Sequence, residues 1–205
     1  MSSSSSDPAN IHGGDNSNLW RCIDRDNVHG LNLADPDDAK ETIKPWDQRE
    51  NTEKFAESNV DDQVIIHVPF SQNVRLRSVL LKLGRGEVAP VHLRIYANHP
   101  NIVDFSEAET TKAQLDISLL QGEPGVVEYP LRVAAFASIN SVSLFFSESV
   151  GGDISRIYYI GFKGDIRELK KDKDPQMDIP AANAADAPLF DRLQDKASGQ
   201  QTTAR

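Results

Sequence analysis

From Gln63 to Phe162 the chain is a succession of short apolar runs with a period of two, and this rhythm limits the fold more than any other feature. Val64, Ile66 and Val68 alternate with Ile65 and His67 up to Pro69, which is expected to end the run because proline cannot donate to a sheet ladder. Val74, Leu76, Ser78 and Leu80 then share one parity, and Val79, Leu81 and Leu83 take the other. A β-bulge, or a strand buried on both faces, is expected near Ser78. Val91, Leu93 and Ile95 alternate with His92, Arg94 and Tyr96, and Leu115, Ile117 and Leu119 with Gln114, Asp116 and Ser118. The runs 126–131, 142–146 and 157–162 bring the strand candidates to at least seven. Between them lie turn residues such as Gly84, Arg85 and Gly86, Pro124 and Gly125, and Gly151 and Gly152. Many short strands without a core helix predict an all-β fold, an antiparallel jelly-roll sandwich.

The 205 residues suit one such core with tails. Residues 1–17 are dominated by Ser, Asp, Asn and Gly and are expected to be a flexible lead-in. The folded domain is placed at 18–169. Leu19, Trp20, Cys22 and Ile23, followed by Val28, Leu31 and Leu33, read as chain wrapping onto the core. Asp35 as N-cap and Pro36 in the first turn predict a short helix that Pro45 closes, and a second helical turn is expected around Thr52 to Ala56. From 170 to 205 the composition shifts to Lys, Asp, Pro, Ala and Gln, and a flexible tail is expected. Within it, Leu189, Phe190 and Leu193 follow Asp186 and Pro188. They read as a short amphipathic turn suited to a partner's groove.

A formal charge of −9 and a pI near 5.0 argue against nucleic-acid binding, which needs clustered cations. The basic stretch 167–173 is interleaved with Glu168 and Asp172 and reads as a solvated strand exit. Cys22 is the only cysteine, which excludes an internal disulfide and a CxxC redox pair. Met1 to Asn10 has neither the basic nor the apolar region of a secretion signal, and no run is long enough to span a bilayer, so a cytoplasmic location is expected, with the nucleus open.

A search for chemistry assigns no catalytic, cofactor or metal-binding residue. Gly84 to Ala89 formally matches a dinucleotide fingerprint, but Pro90 and the alternation after it predict a strand where the pyrophosphate needs a helix N-terminus. The five histidines show no metal-ligand spacing, and the acids Glu57, Asp61 and Asp62 do not follow a calcium-loop pattern. Protein binding by a monomer, without cofactors, is therefore the expected function, with Trp46, Lys44 and Arg49 as candidate residues beside Leu189, Phe190 and Leu193. The large aromatic after Pro45 either seals the sandwich, the reading preferred on burial grounds, or anchors a partner. The alternative function is a module for a small ligand or carbohydrate.

The runs Lys44 to Arg49, Ile66 to Phe70, Val74 to Ser78, Tyr96 to Asn98 and Arg156 to Gly164 together, in this order, resemble the PITH family, the proteasome-interacting thioredoxin-like proteins. The resemblance extends from Leu19 to Ile166. It implies a galactose-binding-like jelly roll and association with the proteasome regulatory particle, as an adaptor or regulatory factor. Family members that are thioredoxin-like also carry a CxxC redox domain. This chain lacks it and looks more like the stand-alone members.

Overall fold

The computed structural model describes residues 17–167. The candidates Leu189, Phe190 and Leu193, the expected tail at 170–205 and nearly all of the expected lead-in lie outside the described residues.

Eight strands form the body: β1 His29–Leu31, β2 Ala56–Glu57, β3 Val64–Leu83, β4 Pro90–Ala97, β5 Leu115–Ser118, β6 Val127–Pro130, β7 Ile139–Ser149 and β8 Arg156–Ile166. Every pairing between them is antiparallel. The long β3 belongs to two sheets. Its first part, Val64 to Pro69, lies between β1 and β7, and β4 and β5 continue that sheet outward. From Val74 to Leu83 it lies between β6 and β8, with β2 beyond β8. Residues with inward parity on the two sheets, among them Ile66, Val68, Leu76, Val79, Leu93, Leu144, Phe146, Ile160 and Phe162, form the main core. This is the sandwich that the alternation predicts.

Pro69 does not end its strand. It pairs with Ser141, and its carbonyl accepts a hydrogen bond from the Asp24 amide at 3.0 Å, so the proline forfeits only its donor. The register with β7 then breaks until Val74, and across this break the strand passes from one sheet to the other. The expected irregularity near Ser78 is a bulge: Leu76 pairs with Gly164 and Ser78 with Lys163, leaving Arg77 as the extra residue. The inward parity changes there.

On the outer face of the first sheet, Ile65, Tyr96 and Phe145 form a second, smaller core with Val103 and Ala108. Its lid is helix α2, Phe105–Thr110, opened by a capping box of Asp104 and Glu107. The sequence reading missed it. Asp104 and Glu107 at i and i+3 were the available signal.

The earlier short helix, α1, spans Asp38–Glu41, three residues beyond the proposed cap. Asp35 Oδ1 accepts from the Asp37 amide at 3.0 Å and forms the turn that leads into it. The helical turn expected around Thr52 to Ala56 is absent. Ala56 and Glu57 pair with Ile157 and Arg156 as β2, and the carbonyl of Lys54 accepts from a side chain. Residues 29–31 form a paired strand, where the sequence suggested only a wrapping segment. The Gly84 to Ala89 segment contains a single helical turn, Gly86–Val88, and leads directly into β4. Among the described residues, no helix is long and apolar enough to cross a membrane.

Candidate functional site

The segment bearing Lys44, Trp46 and Arg49 starts from a bulge in β8. Lys82 pairs with Tyr159 and Leu83 with Ile157, so Tyr158 has no partner on β3. Its carbonyl instead accepts from the Lys44 ammonium at 2.9 Å. The same ammonium donates to the carbonyls of Asn51 at 2.9 Å and Lys54 at 2.6 Å. A lysine has three N–H donors, and all three bind backbone. Lys44 is only 6% exposed, and burial pulls its pKa below the usual lysine value, opposed by nearby Glu41. Lys44 is therefore a clamp inside the protein and offers no donor to a partner.

The clamped segment lies along the outer face of the second sheet. Glu50 forms an ion pair with Lys82 of β3, and this hydrogen bond is the main reason its carboxyl pKa falls below the usual value. Lys82 also donates to the Glu50 carbonyl at 3.1 Å. Trp46 opens a single helical turn, Trp46–Gln48, on which Arg49 follows. The Arg49 guanidinium carbon stands 4.1 Å from the centre of the Trp46 ring, and its Nη1 donates to the Trp46 carbonyl at 2.8 Å. Lys163 Nζ lies 5.8 Å from the same ring and is itself bonded to Glu128 at 2.8 Å.

Trp46 does not seal the sandwich. It is half-buried and belongs to neither apolar core, because Lys163, its neighbour, points away from the core that Phe162 enters. The structure thus brings Trp46 and Arg49 together at the surface and places Lys44 beneath them as their support.

Two further arrangements escaped sequence reasoning because they join distant strands. Across the outer face of the first sheet, Ser147 Oγ is 3.2 Å from His92 Nδ1, and His92 Nε2 is 2.8 Å from Asp116 Oδ1. Arg94 Nε lies 3.5 Å from the other Asp116 oxygen. These are the residue types of a hydrolytic triad. Here they lace β7, β4 and β5 along the outer face of the sheet. At one end of the sandwich, by contrast, the break in β3 opens a groove of about 450 Å³ between Phe70, Asn73, Asn140 and Ile166.

The acids that invited a calcium reading have local partners. Glu57 pairs with Arg156, Asp61 accepts from Asn32 and Gln63, and Asp62 accepts from the Ser149 amide. Among the described residues no group of three or more His, Cys, Asp or Glu is placed to hold a metal ion.

A family model described as the PITH domain matches residues 9–180. "PITH domain-containing protein CG6153" of Drosophila melanogaster is 32% identical over 150 residues, covering 73% of this chain and 70% of that protein. "PITH domain-containing protein P35G2.02" of Schizosaccharomyces pombe is 30% identical over 162 residues, 78% of each chain. In three dimensions the chain is similar to CBM32-3 from a family 31 glycoside hydrolase of Clostridium perfringens. The TM-score is 0.50 at 13% identity, over 70% of this chain and 95% of that one. The fold is thus the jelly roll that the strand pattern predicts, of the galactose-binding-like kind that the family resemblance implied.

Proposed function

The chain belongs to the PITH domain family, and on that premise we propose that it is a non-catalytic protein-binding module, a proteasome-associated adaptor or regulatory factor. The observation that carries this reading is the presentation of Trp46. A half-buried tryptophan outside both cores, with an arginine stacked on it, combines two of the residue types enriched at binding hot spots. Its segment is already fixed by the Lys44 clamp and the Glu50–Lys82 pair, so little ordering remains to oppose association. The proposed partner is the proteasome regulatory particle, met by a monomer in the cytoplasm or nucleus.

The neutral-sugar alternative rests on likeness of fold, which does not fix function. A sugar-stacking platform requires a free aromatic face, whereas two cations, Arg49 and Lys163, stand over the Trp46 ring. The proposal is tested by recovering the tagged full chain from lysate under ATP-preserving conditions. Regulatory-particle subunits are expected with the parent protein and depleted with Trp46→Ala. Their absence from the parent sample would sink the adaptor reading. Turnover of p-nitrophenyl acetate that Ser147→Ala abolishes would overturn the non-catalytic one.

A further inference from the structure

The groove at the break in β3 is independent of the Trp46 surface and has a chemistry of its own. Phe70 supplies an apolar wall, packed edge-on against Phe162 with ring centres 5.4 Å apart. Ile166, 49% exposed at the end of β8, supplies the other. Its volume of about 450 Å³ is within the range of ligand-binding clefts, roughly 300–1,000 Å³.

The polar groups are ordered by a small amide network. Asn73 Nδ2 donates to Asn140 Oδ1 at 3.0 Å, and Asn73 Oδ1 accepts from Ser138 Oγ at 3.1 Å. The Asn140 amide N–H is held by Asn98 Oδ1 at 2.7 Å, and the Arg167 amide donates to the Asn73 carbonyl at 2.9 Å. With Asn140 Oδ1 engaged as an acceptor, its side-chain NH₂ is what it presents to a ligand. Gln72 and Arg167 line the same groove, and each side chain carries N–H donors. A groove with apolar walls and a donor-rich, cationic rim suits a carboxylate carried next to an apolar side chain.

We infer that the groove lined by Phe70, Asn140, Ile166 and Arg167 binds an acidic, apolar peptide segment, with Arg167 and Asn140 holding a carboxylate and Phe70 and Ile166 an aliphatic side chain. The inference rests on the protein-binding reading and adds a second contact surface to it.

The test is fluorescence anisotropy on the full chain with a fluorescein-labelled octapeptide of alternating glutamate and leucine, and with its glutamine counterpart. Saturable binding of the glutamate peptide is expected, at least tenfold tighter than the glutamine peptide and weakened by added salt. Arg167→Gln should lower that affinity about tenfold. Asn140→Asp keeps the acceptor for Asn73 but sets a negative charge at the rim, and should lower it at least as far. Unchanged melting temperatures certify that both variants fold. Equal affinity for the two peptides, no saturable binding, or no effect of either variant would overturn the assignment. So would displacement of the peptide by millimolar galactose, which would give the groove to a neutral sugar. If the parent recovers regulatory particle from lysate but the peptide does not bind, the groove falls and the adaptor reading stands. If the peptide binds but no regulatory particle is recovered, the reverse holds.

Discussion

Arg49 stacks on the ring of Trp46 at 4.1 Å while its Nη1 holds the carbonyl of the same residue, so one side chain fixes both the aromatic and the backbone that carries it. Truncating the tryptophan therefore removes a surface feature and leaves the core intact. A fully buried aromatic loses about 3–5 kcal/mol on truncation to Ala, and a half-buried one outside the core should lose about 1–2 kcal/mol. Trp46→Ala is expected to show that modest drop in a urea titration together with a large loss of partner recovery. A drop of the full buried size would mean that Trp46 acts in packing after all.

Lys44 makes the contrasting case. Replacing it with Met keeps the stem but leaves the carbonyls of Asn51, Lys54 and Tyr158 without the donor they share. Lys44→Met should cost about 1.5–3 kcal/mol, the order expected when a charged donor is lost from partly buried carbonyls. Amide hydrogen exchange should rise from residue 44 to 54 before it rises in β8. Uniform loss of protection across the domain would contradict the local clamp.

The sandwich was legible because runs such as 64–68 and 91–95 alternate in sequence, and even the bulge at Arg77 left a trace in the parity change between Leu76 and Val79. Pro69 misled because the rule against proline in strands concerns only its missing N–H, and here a strand changes sheets where that donor is not needed. The role of Lys44 was not legible at all. It depends on Tyr158, whose release by a bulge in β8 is a property of two strands in register and has no local signature. The groove was hidden for a related reason, since Phe70, Asn140 and Arg167 meet only where β3, β7 and β8 converge.

His67 provides a pH test of the first sheet. Burial holds its pKa below the usual histidine value, and His29, its cross-strand partner on β1, acts in the same direction; Ser143 Oγ stands 3.0 Å from its Nδ1 on the other side. A lowered folded-state pKa means the unfolded chain binds more protons between the two values, so stability rises with pH there. The contribution is complete above the unfolded pKa of about 6.5 and is lost as pH falls through the folded value. His67→Gln should flatten the difference in denaturation midpoint between pH 7.5 and pH 5 relative to the parent. An identical difference in the two proteins would remove His67 from the account of acid sensitivity.

Gly164 and Gly125 separate a glycine that the fold requires from one it tolerates. A β-carbon at Gly164 would collide with the carbonyl oxygen of Arg75 and stand 3.1 Å from Leu19 Cδ1. Arg75 cannot retreat, since β3 is paired with β8 on both sides of it, at Val74 with Ile166 and at Leu76 with Gly164. The Gly164 amide is also bonded to the Ser17 carbonyl at 2.8 Å, which ties the first described residues to the same point. Gly164→Ala should therefore destabilise by about 1–3 kcal/mol through forced backbone displacement. At Gly125 an added β-carbon meets only Glu50 Oε1, at an ordinary 3.7 Å, and Gly125→Ala should stay within about 0.5 kcal/mol of the parent. Paired urea titrations of the two variants decide the point: equal midpoints would show that the contact between Gly164 and Arg75 does not limit how β8 seats against β3.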